Sequence, residues 1–216
     1  PPTKFIPLAE ELGLISLVGT WVLERGCQQM VDWKHHDPVP WHMGINVSAP
    51  QIMKNGFAVS VLKILEAYEI DPEKLQLEVT ESMLLSDLDS VAGNFRLLRS
   101  HGVRIALDDF GTGYSSLTYL QELPVDILKI DRSFISNLAP GAAMESLAST
   151  IVLLANRFGL ETVAEGVETV EQLELVRLLN CDLVQGYYFS KPVTAVDLPG
   201  VIASINQEQS LPQKAA

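Results

Sequence analysis

Residues 104–130 read "RIALDDFGTGYSSLTYLQELPVDILKI". An apolar, strand-like run over 104–108 ends in acids. A helical pattern over 115–123 follows, then a second strand-like run over 126–130 that carries Lys129 among Ile and Leu. A helix joining two strands implies a parallel pair with a right-handed crossover. The same alternation extends in both directions. Further strands are expected at 41–47, 75–80, 162–166 and 183–188. Apolar residues three and four apart predict helices over 58–68, 88–101, 145–158, 170–180 and about 194–206. Two more, 5–11 and 14–34, precede the first strand and are split near Gly13. Thr169 with Gln172 fits a capping box opening the 170–180 helix.

Six strand–helix units fit either an open, doubly wound sheet or a closed barrel. The strand ends favour the barrel. Asn46, Glu78, Asp108, Lys129, Glu165 and Gln185 each fall near the C-terminal end of a different strand. An open sheet gathers ligands at one switch point, whereas a barrel brings every strand end to one rim. The expected fold is therefore α/β, a TIM-like (β/α)8 barrel lacking its first two strands. It would form one domain over 1–206 with a polar tail at 207–216. The opening "PPTKFIPLAEELGLI" has no initiator Met and reads as the middle of something longer.

Composition narrows the function. The chain has 216 residues, 47% hydrophobic and 19% charged, with a formal net charge of −12. That charge argues against nucleic acid polymers and anionic lipid as partners, and an anionic ligand would need a local cation. No apolar run reaches membrane-span length, so no direct membrane insertion is expected. Cys27 and Cys181 form no ligand or redox motif and read as buried thiols of a cytoplasmic protein.

The strand-end residues point to hard cations. Glu78, Asp108, Asp109, Glu165 and Glu168, with Asn46, are all oxygen donors, which suit Mg²⁺, Mn²⁺ or Ca²⁺ rather than Zn²⁺. The excess of acid suggests two ions, an arrangement that activates water and clamps phosphoryl oxygens. Lys129 fits two compatible roles, contact with a phosphate oxygen or water, and ion pairing with the acids. Surrounding carboxylates oppose a Schiff-base role by holding its proton. Successive strand residues point to opposite faces, so Asp108 and Asp109 can share a site only if the strand ends between them. The glycines after Phe110 would allow that turn. The histidines of "WKHHDPVPWH" (33–42) run from a helix into a strand, at the opposite rim, and read as a solvated loop.

"FIPLAEELGLI", "INVSAPQ", "LEVTES", "ALDDFGTGYSSLTYLQELPVDILKIDRSFI", "VAEGVET" and "QGYYFSKP" together span 5–192. They closely resemble the EAL domain, the cyclic-di-GMP phosphodiesterase module of bacterial signalling proteins. The resemblance implies cleavage of one phosphodiester of cyclic di-GMP to linear pGpG with Mg²⁺ or Mn²⁺. It implies Asn46, Glu78 and Asp108 as metal ligands, Asp108 bridging two ions and Asp109 binding the second. It implies that Lys129 holds the attacking water and a phosphate oxygen, that Glu165 is the general base, and that Glu168 and Gln185 complete the site. Glu81 resembles the residue anchoring the 109–116 loop, which in the family couples metal binding to homodimerisation. An upstream sensor or GGDEF-type domain is expected as well. The Glu-Ala-Leu signature and the Arg-Trp pair after it, which in the family precede "PPTKFIPLAEE", are not in the sequence. The parent protein is thus expected to be an active enzyme and this piece inactive by itself. A non-catalytic cyclic-di-GMP receptor is the alternative, and an enolase-type barrel enzyme a third reading.

Overall fold

The computed structural model describes residues 1–33, 42–81, 88–111, 117–138, 143 and 146–210. Six strands form one sheet: β1 (Met43–Asn46), β2 (Leu75–Thr80), β3 (Arg104–Phe110), β4 (Ile127–Ile130), β5 (Glu161–Glu165) and β6 (Leu183–Gln185). They lie side by side in sequence order and every neighbouring pair is parallel. Sequential order leaves no reversal and hence no switch point, which separates this sheet from a doubly wound one. The result is a curled half-barrel, two strands short of eight.

Burial divides the strands into two faces. Leu75, Leu77, Val79, Ile105, Leu107, Leu128 and Ile130 point outward and pack with Met30, Leu65, Phe95 and Leu98 of the surrounding helices. The alternation of "LQLEVT" dictates this, since its apolar residues share one side. On the inner face Ala106, Ile127 and Val163 form a small separate apolar layer. Above it, toward the C-terminal strand ends, the inner face turns polar. At the far end of the same strands Arg104 pairs with Glu161, and Arg99 with Asp126.

Two aspartates fasten the N-terminal end of the sheet. Asp126, just before β4, accepts the Ile105 N–H of β3 at 2.9 Å. Asp182, just before β6, accepts both the N–H and the hydroxyl of Thr162 on β5, at 2.8 and 2.7 Å. Thr162 is fully buried. Asp182→Ala should therefore strand both Thr162 donors and destabilise the fold by about 1–3 kcal/mol, visible as a lower urea midpoint.

Each of the eight helices expected from the sequence is present in order, with shifted ends. Those at Pro2–Glu11 and Ile15–Trp33 are divided at Gly13, whose φ is +68°. Thr169 and Gln172 form the expected capping box. The last helix runs Leu198–Ser210, later than expected at both ends, so it enters the segment read as a tail. Three short helical turns, Ala49–Ile52, Pro72–Lys74 and Arg132–Ser136, were not foreseen. β6 stops at Gln185 instead of 188. The Gly186 backbone there presses on Val167, where a Cβ would stand 2.0 Å from the carbonyl oxygen, and Tyr188 N–H turns back to that same carbonyl. Residues 34–41 of the histidine-bearing segment and 112–116 of the expected dimer loop lie outside the described residues. Among the described residues, no helix is long and apolar enough to cross a membrane.

Candidate metal centre

The sheet register brings the strand ends together in pairs. Asn46 stands beside Glu78, and Glu165 beside Gln185. Between them, β3 and β4 are out of simple step. Leu107 pairs with Leu128 and Phe110 with Ile130, so three steps on β3 match two on β4. One extra residue is accommodated by a bulge.

That bulge explains the doubled aspartate, and it corrects the sequence reading. The strand does not end between Asp108 and Asp109 but continues through Phe110. Asp109 itself takes the left-handed conformation, with φ +55°, a region that Asp tolerates better than most residues. The extra residue resets the alternation. Phe110 returns to the buried outer face, while the carboxylates of Asp108 and Asp109 both reach the inner rim. The Asp109 N–H donates to Asp108 Oδ1 at 3.0 Å. Beyond the bulge, the Gly111 N–H donates to Glu81 Oε2 at 2.9 Å, and Glu81 is buried. Glu81 thus holds the backbone at Gly111.

Lys129 lies at the centre. It is only 4% exposed. Its ammonium sits 2.7 Å from Glu78 Oε2, 2.7 Å from Glu165 Oε1 and 3.0 Å from Asp108 Oδ1. Burial opposes its charge, but the hydrogen bonds it donates to Glu165 and Glu78 and the charges of Glu78 and Asp108 outweigh that and raise its pKa. It is therefore an ammonium ion, unsuited to attack a carbonyl. The ion-pair role anticipated for it is present.

One cation does not balance the acids around it. Carboxylate oxygens of Asp108, Asp109 and Glu165 lie within 4.8 Å of one another. Burial raises the Asp109 pKa, and the charges of Asp108 and Asp131 add to the rise. Burial likewise raises that of Glu165, with Asp108 and Glu78 adding and Lys129 opposing. Such a group of hard oxygen donors suits a hard divalent cation.

The remaining expected residues are less closely gathered. Asn46 and Gln185 close β1 and β6 and are exposed. Glu168 is exposed in the turn after β5, where its N–H donates to Gln172 Oε1 at 2.7 Å; its carboxylate is outside the group of three. Two residues were overlooked in the sequence. Gln76 donates to Glu78 Oε1 at 2.9 Å, and Gly44 leaves the space that Glu78 fills. Period-two spacing from Glu78 marks Gln76 as sharing its face. Nothing in the sequence marks Gly44.

Comparisons with known proteins show the family and the fold. A family model described as "EAL domain" matches residues 1–192. The chain is 42% identical over 202 residues to the bifunctional diguanylate cyclase/cyclic di-GMP phosphodiesterase MucR of Pseudomonas aeruginosa, covering 94% of this chain and 30% of that protein. It is 38% identical over 205 residues to the oxygen sensor protein DosP of Escherichia coli, covering 95% and 26%. The chain thus spans about a quarter to a third of the curated relatives it matches. Among solved structures, the PaMucR phosphodiesterase in complex with c-di-GMP superposes with a TM-score of 0.84 at 43% identity, over 91% of this chain and 80% of that one. The EAL domain of Mycobacterium smegmatis DcpA gives 0.81 at 36%, over 88% and 86%.

Proposed function

This chain belongs to the EAL domain family, and on that footing we propose that it supplies the phosphodiesterase site of a cyclic-di-GMP signalling protein. The reaction is hydrolysis of one phosphodiester to give linear pGpG. The observation that carries the reading is the buried Lys129 ammonium ringed by Glu78, Asp108 and Glu165, with Asp109 brought alongside by the bulge.

Asp108 and Asp109 would hold a divalent cation, with the Glu165 carboxylate close beside it, and Asn46, Glu78 and Glu168 are the further ligands that the family resemblance implies for a two-ion site. When bound, Mg²⁺ or Mn²⁺ supplies Lewis-acid activation of water and of the phosphodiester. The protein's own groups do the rest. Lys129 places a fixed positive charge where negative charge develops on phosphate. Glu165, whose pKa is raised by burial, is poised to accept a proton from the attacking water. Gln185, in register with Glu165, orients that water. Glu81 steadies the loop that follows the bulge, the segment through which a homodimer would form.

The test is product analysis. The full-length protein, given cyclic di-GMP with Mn²⁺ or Mg²⁺, should yield pGpG resolved by anion-exchange chromatography. Ligand bound without cleavage would point to a receptor instead. Glu165→Gln should lower turnover by about 10²–10⁴ if it is the base. Its Mn²⁺ affinity should fall far less than that of Asp108→Asn, as judged by calorimetric titration.

A further inference from the structure

The Glu78 carboxylate is held on both oxygens, on one by Lys129 and on the other by a residue that the proposed reaction does not use. Oε2 accepts from Lys129 at 2.7 Å, and Oε1 accepts from Gln76 Nε2 at 2.9 Å. Gln76 is two residues before Glu78 on β2 and so projects from the same face. On β1, the residue directly beside Gln76 is Gly44. A Cβ there would stand 2.5 Å from Glu78 Oε1. The carboxylate therefore lies over bare backbone, drawn toward Gln76, in a position that no side chain at 44 would permit. We infer that Gln76 and Gly44 are positioning residues, which fix the Glu78 carboxylate in the orientation it presents to a divalent cation at the strand ends.

The chemistry favours an amide here. A neutral N–H donor holds one carboxylate oxygen without withdrawing the charge that a cation requires, as a second lysine would. Hydrogen bonds to ligating carboxylates govern metal affinity, and their loss costs about 10–100-fold. Gln76 therefore acts through Glu78 and touches neither substrate nor ion.

The inference rests on the metal-site reading above, and the experiment separates the two. Mn²⁺ is titrated calorimetrically into the full-length protein and its variants. Gln76→Met keeps length and removes the donor, so its Mn²⁺ dissociation constant should rise about 10–100-fold, with kcat at saturating Mn²⁺ almost unchanged. Gln76→Glu keeps the shape and adds a like charge, so it should weaken binding further, and it decides the matter if the methionine variant does not fold. Gly44→Ala should weaken binding from the other side by pushing the carboxylate away. Thermal midpoints in EDTA should stay near wild type, which a merely structural role would not predict. Wild-type affinity in both Gln76 variants, with binding lost in Asp108→Asn, would overturn the inference alone. Wild-type affinity in Asp108→Asn would overturn the metal site itself.

Discussion

Lys129→Met should destabilise the metal-free protein by about 3–5 kcal/mol, the cost of removing one partner from a buried ionic cluster. The side chain is 4% exposed and contacts three carboxylates, so solvent cannot replace it. Without the ammonium, Glu78, Asp108 and Glu165 face one another uncompensated. Urea melts in EDTA measure the loss, and an unchanged midpoint would contradict it. Adding Mn²⁺ should recover part of the stability, because a cation that binds only the folded state shifts the equilibrium toward it. The linkage has a definite sign. The folded-state pKa of Lys129 lies above its ordinary 10.5, so its contribution is complete below that pH and lost only as pH climbs past it. Turnover of cyclic di-GMP should fall by about 10²–10³, the usual effect of deleting one fixed donor to developing charge.

Asp108→Asn should have the opposite profile: nearly intact folding and almost no activity. Asparagine keeps the shape and an acceptor for the Asp109 N–H. Lys129 retains Glu78 and Glu165, and the crowded acids lose one charge. Folding stability should therefore stay within about 1 kcal/mol of wild type. Catalysis should drop by about 10³ or more, since several kcal/mol of metal-derived stabilisation are forfeited at 1.36 kcal/mol per tenfold. A variant with wild-type turnover would remove Asp108 from the metal site. Taken together, the two substitutions separate the structural role of the central cation from the chemical role of the acids.

The sheet was legible because its signals are local. Strand–helix alternation between residues 41 and 206 and the polar group closing each strand were enough to infer a parallel sheet with one functional rim. That rim is where the register places Asn46, Glu78, Glu165 and Gln185. The bulge was not legible. "ALDDFG" carries no mark of an extra residue, and the glycines after it suggested a strand ending between the two aspartates, earlier than it does. Asp109 adopts the left-handed conformation because the pairing of β3 with β4 demands it, and that pairing lies more than fifteen residues away in sequence. Gly44 was missed for a similar reason, since its purpose is visible only when Glu78 of the next strand lies over it. Gln76 stood within reach of the alternation argument.

The most direct test of the metal site is anomalous diffraction from crystals of the full-length protein grown with Mn²⁺ and cyclic di-GMP. The account predicts a manganese peak within coordination distance of the Asp108 and Asp109 carboxylates, with Glu165 beside it and Lys129 turned to a phosphate oxygen. A peak elsewhere, or none at that rim in crystals whose dissolved protein still forms pGpG, would contradict it.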